Sequence, residues 1–128
     1  MLDLSLFRTL SRERTARTPA ALYFHESQFD YPRTRNDPRD DHYGFINYTS
    51  ALAAEALWFN SEYHRGAFFA GLRKLLERMP DYAGLENPAL LEERARVLAP
   101  GIDTEELDRN RPLPGDTEEQ TAAPVILW

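Results

Sequence analysis

The sequence predicts a mainly α-helical protein, on three observations: apolar residues recur at helical spacing through its middle, two strong helix-start signals precede such runs, and prolines punctuate them. The expected architecture is a small helical domain over residues 1–110. An irregular segment interrupts it at 25–47, and an extended tail follows over 111–128.

Taken in order, Leu2, Leu6, Phe7 and Leu10 repeat at helical spacing and predict a short first helix. Arg8, Arg12, Arg14 and Arg17 follow, with Glu13 against them. They form either a solvated face or an arm that reaches an acidic partner, and Pro19 ends the segment. Residues 25–47 hold Pro32, Pro38, Gly44 and scattered aspartates without a sustained period. The same region carries Phe24, Phe29, Tyr31, Tyr43, Phe45 and Tyr48. Aromatic side chains in a loop must bury on the chain's own core or on another subunit, and aromatics are enriched at interface centres.

Thr49 or Ser50 can cap the next helix, expected near 50–65, with Leu52, Ala56, Phe59 and Tyr63 as one stripe and Trp58 beside it. Gly66 is read as a break or kink, after which Phe68, Leu72, Leu75, Leu76 and Met79 form a second stripe, near 67–79, stopped by Pro80. Asn87–Pro88 reads as cap and first helical residue of a helix near 88–99, with Glu92 and Glu93 close to its start. Pro100–Gly101 ends it, and Thr104 to Leu107 could open one more turn. Beyond Arg111, Pro112, Pro114, Gly115 and Pro124 forbid regular structure until the chain reaches Val125-Ile126-Leu127-Trp128. Those four apolar residues either fold back on the core or dock on another chain, and docking is the favoured reading.

The whole-chain numbers bound the function. At 128 residues with 42% hydrophobic content the chain can bury a core. The net charge of −6 argues against a dedicated nucleic-acid binder, which needs a net basic face to displace counterions from phosphates. The absence of cysteine removes disulfides, thiolate metal sites and cysteine nucleophiles. Asp3 stands where a signal peptide carries positive charge, and no apolar run approaches the ~20 residues that span a bilayer. The expectation is a cytoplasmic protein with no membrane partner.

No constellation converges on a reaction. His25, Glu26, Asp30, Asp37, Asp40, Asp41 and His42 are ligand types for zinc or iron, but their spacing follows no ligand pattern. Glu62 and His64 are two residues apart, so they face different sides of a helix and do not form the Glu-x-x-His of di-iron bundles. There is no Gly-x-Ser-x-Gly elbow and no phosphate-binding glycine loop. No catalytic residue, metal or cofactor is therefore assigned to this chain. The partner-binding residues expected are Phe24, Phe29, Tyr31, Tyr43, Phe45, Val125, Ile126, Leu127 and Trp128.

Ala53 to Leu107 resembles the helical N-terminal half of the β subunit of nitrile hydratases and the small β subunit of thiocyanate hydrolases. The resemblance rests on Ala53-Ala54-Glu55-Ala56-Leu57, on Arg65-Gly66-Ala67-Phe68 as a helix break, on Glu77-Arg78-Met79-Pro80 with Tyr82 after it, and on Gly101-Ile102-Asp103-Thr104-Glu105-Glu106-Leu107. The family's functional arginine falls near Ala54 here and is not carried over. The resemblance implies a non-catalytic helical subunit of a hetero-oligomer, packed over a metal that a partner subunit holds. The alternative is a structural or interaction protein, such as a phage assembly component or a viral inhibitor.

Overall fold

The computed structural model describes residues 3–29, 41–81 and 84–109. Their elements run α1 (Leu4–Leu10), α2 (Arg12–Thr15), β1 (Ala21–Phe24), α3 (His42–Leu52), β2 (Ala56–Phe59), α4 (Glu62–Leu76), α5 (Asn87–Glu93), β3 (Ala95–Val97) and α6 (Thr104–Arg109). The strands form one parallel sheet in the order β1-β2-β3, with Ala21 to Phe24 opposite Ala56 to Phe59, and Leu57 to Phe59 opposite Ala95 to Val97. The architecture is thus mixed α/β, and the mainly α-helical expectation is overturned by this sheet.

The physical reason is visible in β2. Leu57 and Phe59 are fully buried, whereas Leu52 and Tyr63, read as members of the same helical stripe, are exposed. In β2 one face is buried and the other is partly open, with Trp58 exposed between Leu57 and Phe59, but because Trp58 is itself apolar the sequence shows an unbroken apolar run rather than alternation. Four such residues can be read at helical spacing with equal ease. The helix expected near 50–65 therefore divides into the end of α3, a turn, β2 and the start of α4. The helix expected near 88–99 likewise ends at Glu93, and β3 follows. Gly66 breaks nothing: it lies inside α4 with open space around it. Part of the segment expected to be irregular, from His42 onward, is α3. The expected tail, with Val125 to Trp128, and Tyr31 lie outside the described residues.

Other expectations hold. The first helix is present, with the Asp3 carboxylate as its N-cap accepting from Leu6 N at 2.9 Å. That bond, followed by the Ser5 hydroxyl, holds the Asp3 carboxyl below its ordinary pKa. Ser61 caps α4, its Oγ accepting from His64 N, and Phe68, Phe69, Leu72, Leu75 and Leu76 form its buried face. The predicted caps at Ser50 and Asn87 do different work. Ser50 is buried inside α3 and its Oγ accepts from Leu4 N at 3.0 Å, joining α1 to α3. Asn87 donates from Nδ2 to Tyr48 Oη at 2.6 Å, joining α5 to α3.

The core lies between the sheet and α4. Phe59 stacks on Phe24 with centroids 5.3 Å apart and meets Phe68 and Phe69 at 5.2 and 5.8 Å. Phe29 stands edge-on to Phe68 at 5.1 Å. It fits because Gly44 and Gly71 leave it a slot: a Cβ built on Gly71 would come within 2.3 Å of the Phe29 Cβ.

Arginines satisfy the carbonyls of the turn that follows α3. Arg8 donates to Ala53 O, and Arg94 donates to Ala54 O at 2.6 Å. Arg8 also reaches Thr18 O at 2.8 Å and the Glu55 carboxylate at 3.0 Å. Glu55 accepts from Ala20 N at 2.6 Å, so the start of β1 is tied to the turn before β2.

Two outcomes are expected from this geometry. Gly66→Ala should stabilise the domain by about 0.5–1 kcal/mol, because a mid-helix glycine is entropically costly and nothing here needs its missing Cβ. Thermal unfolding should shift up by a few degrees, and a downward shift would show that Gly66 is needed. Glu55 should give the acid limb of stability part of its slope. The Ala20 N–H, and after it the Arg8 guanidinium, hold its folded-state pKa below the ordinary value. Its contribution is therefore complete above the unfolded pKa and is lost as pH falls through the lowered folded one. The side chain is half-exposed, so the effect is screened. Glu55→Gln should flatten the decline in unfolding free energy between about pH 6 and pH 3, measured by denaturant titration. An unchanged slope would exclude the link.

Candidate functional site

Parallel strands fed by helices direct their carboxyl ends to one edge of the sheet, where the connecting loops leave a crevice. Here β1 ends at Phe24 and passes directly into His25 and Glu26. A cleft of about 300 Å³ runs beside it, lined by Leu22 to Glu26 from the strand and its exit, and by Asn47 and Ser50 from α3. Its floor is apolar and hydroxyl-bearing, while His25 and Glu26 are exposed.

Two asparagines give the cleft its chemistry. Asn47 is 5% exposed, and its amide nitrogen has no hydrogen-bond partner. A buried unpaired donor costs on the order of 1–3 kcal/mol, a cost that a polar partner reaching it would offset. Asn60, just beyond β2, sets the exit of β1. Its Nδ2 donates to His25 O at 3.0 Å, which assigns its Oδ1 as the acceptor. That oxygen receives Ser61 Oγ and His64 Nδ1, each at 3.0 Å. A proton on His64 Nδ1 satisfies that contact. The ring is buried edge-on to Phe59, at 5.4 Å. The network fixes the His25 backbone relative to the core and thereby aims His25 and Glu26. Ser27 is buried next to them, and its Oγ accepts from Phe29 N at 3.1 Å.

The residues expected to bind a partner are scattered. Phe24 is buried in the chain's own core and Phe29 is packed against it, whereas Tyr43 and Phe45 are exposed on α3. Of the residues considered as metal ligands, Asp30, Asp37 and Asp40 lie outside the described residues. Among the described residues no group of three or more His, Asp or Glu is placed to hold a metal ion. Sequence reasoning missed Asn47 and Asn60 as site residues. A lone asparagine has no spacing signature, and Asn47 reads as a loop former until α3 is seen to enclose it.

A parallel β-α-β-α-β unit in the order 1-2-3 has the strand order of one half of a doubly wound α/β arrangement, and here a cleft lies beside β1 and its exit. The particular family follows from comparison. The family model for the tRNA-queuosine alpha-mannosyltransferase N-terminal region matches residues 1–102, and the chain belongs to that family. The tRNA-queuosine alpha-mannosyltransferase of Drosophila melanogaster is 31% identical over 110 residues, which cover 84% of this chain. They cover 29% of that relative, so the chain spans under a third of its length. No solved structure matches at a significant level.

These matches overturn the resemblance to nitrile hydratase and thiocyanate hydrolase β subunits, and with it the hetero-oligomeric subunit reading. The alternative of a phage assembly component or viral inhibitor falls as well. The structure explains why the resembling segments misled. Ala53 to Leu57 is a turn entering a strand rather than an alanine-rich helix, and Arg65 to Phe68 is continuous helix.

If the unpaired Asn47 amide is kept for a ligand, replacing it by a leucine of similar shape should leave the melting temperature unchanged or raised, while reducing ligand binding or turnover. A clear loss of stability in Asn47→Leu would instead make the amide a structural group.

Proposed function

We propose that this chain forms part of a glycosyltransferase that attaches mannose in α linkage to the queuosine nucleoside of a tRNA. One observation carries the reading: the family match over residues 1–102 includes the whole parallel unit and every side chain that lines the cleft. The cleft's chemistry agrees with a polyhydroxyl ligand. The Asn47 amide offers a buried donor, the Glu26 carboxylate an acceptor, and the His25 imidazole either, at the mouth of a pocket whose interior is largely apolar. In such a transfer an acceptor hydroxyl oxygen bonds to the sugar's anomeric carbon, the bond to the leaving group breaks, and the hydroxyl proton departs. The share assigned to this chain is to bind and orient a hydroxyl-bearing group at the carboxyl end of β1, with Asn60 and His64 as positioning residues behind His25.

The proposal makes tRNA a partner, against the expectation drawn from net charge. It also keeps the cytoplasmic location as a proposal. Among the described residues no helix is long and apolar enough to cross a membrane.

The test is transfer of radiolabelled mannose from an activated donor to queuosine-containing tRNA by the enzyme that contains this chain. Product should form on that tRNA and not on tRNA lacking queuosine. Glu26→Gln and His25→Ala should each lower kcat/KM by about tenfold or more, the scale of a lost hydrogen bond to a ligand. Absence of transfer to any tRNA, or full activity in both variants, would refute the assignment.

A further inference from the structure

Most guanidinium groups among the described residues are committed. Arg8, Arg65, Arg73 and Arg78 pair with Glu55, Glu62, Glu92 and Asp41. Arg94, Arg96 and Arg109 donate to backbone carbonyls. Arg12, Arg14 and Arg17 are different. All three are exposed, and among the described residues none has a side-chain hydrogen bond or ion pair. They sit within six residues of one another on α2 and the turn after it, with Glu13 as the one acid among them. A shallow surface depression is lined by Leu10, Ser11, Arg12, Glu13 and Arg14.

Their placement is rigid although their side chains are free. Arg8, from α1, holds the Thr18 and Ala53 carbonyls and the Glu55 carboxylate, so the α2 arm is pinned to the body of the fold at both ends. In a chain of net charge −6, three unpaired guanidiniums on one pinned arm are a local basic surface that the total charge conceals. Guanidinium forks match phosphate oxygens in geometry and charge. The arm precedes β1, whereas His25 and Glu26 follow it, so the length of the strand, roughly 10 Å, separates the basic surface from the cleft.

We infer that Arg12, Arg14 and Arg17 form a phosphodiester-binding surface that grips the tRNA backbone while the cleft beyond β1 takes the nucleoside. The inference rests on the tRNA-modifying reading above and assigns to that reading the residues that supply its salt-dependent affinity. The contacts are to phosphate and carry no sequence information.

The experiment measures tRNA binding to the enzyme that contains this chain, by fluorescence anisotropy across a salt series, for wild type, Arg12→Ala/Arg14→Ala/Arg17→Ala, and the corresponding triple lysine variant. Each phosphate contact contributes about 0.7–0.9 to the slope of log affinity against log salt. The alanine variant should lose roughly 2–3 from that slope. Its KM for tRNA should rise while kcat stays near wild type, and lysine should restore most of the slope. Thermal unfolding of the variants checks that the arm remains folded. If wild type transfers mannose to tRNA and the alanine variant keeps the same slope and KM, the surface assignment fails and the function stands. If the wild-type enzyme neither binds nor modifies tRNA, the functional reading fails and takes this inference with it. If poly-glutamate, but not tRNA, is bound through the three arginines, the surface serves an acidic protein and the phosphate assignment is overturned.

Discussion

The structure depends on the burial of Phe59. It ends the central strand, is wholly shielded from water, and touches Phe24 on the neighbouring strand and Phe68 and Phe69 on α4. A three-stranded parallel sheet with strands of three or four residues has few ladder hydrogen bonds. It persists because one face packs into the core with α4, and burying an aromatic side chain contributes about 1.5–3 kcal/mol. The next residue, Asn60, inherits a fixed position from that packing, and it holds the backbone of His25. Core burial and site geometry are therefore adjacent links of one chain: a shift of Phe59 moves Asn60, and Asn60 moves the exit of β1.

A second constraint acts at the other end of the strands. The turn from α3 into β2 would leave carbonyls unpaired, and Arg8 and Arg94 occupy them. Because Arg8 comes from α1 and Glu55 grips the amide of Ala20, the N-terminal helices, the start of β1 and the start of β2 are locked together. The buried Ser50 adds the bond to Leu4 N. These polar bonds set register and direction, while the phenylalanine cluster supplies the larger share of the burial.

How much of this was legible in the sequence varies by element. The α4 stripe from Phe68 to Leu76 was legible because one face of that helix is buried and the other is wet, as the 3.6-residue period requires. The strands were not, for the reason seen in β2, and β3 offers only Ala95, Arg96 and Val97. Ser50 and Asn87 were recognised as hydrogen-bonding residues, but their partners are Leu4 and Tyr48, 46 and 39 positions away, which no local rule can name. At the site, the chemistry of His25 and Glu26 is legible as ligand-type side chains, but no spacing in the sequence assigns them a partner. The fold places them beside Asn47 of α3, a neighbour that lies twenty-odd positions away in sequence. Asn47 itself acquires meaning only when its burial and its unpaired amide are both known.

Charge shows the same difference between a sum and an arrangement. A net charge of −6 opposes binding of a polyanion for a uniformly charged sphere. A folded chain presents charges selectively. Arg8, Arg65, Arg73 and Arg78 spend their charge on carboxylates, which removes four bases and four acids from the field seen at a distance. The remaining charge is unevenly placed: exposed Glu105 and Asp108 lie on α6, and exposed Arg12, Arg14 and Arg17 on the α2 arm. Net charge bounds solubility and long-range steering. Which surface can hold a phosphate is decided by the ion pairs the fold has already made.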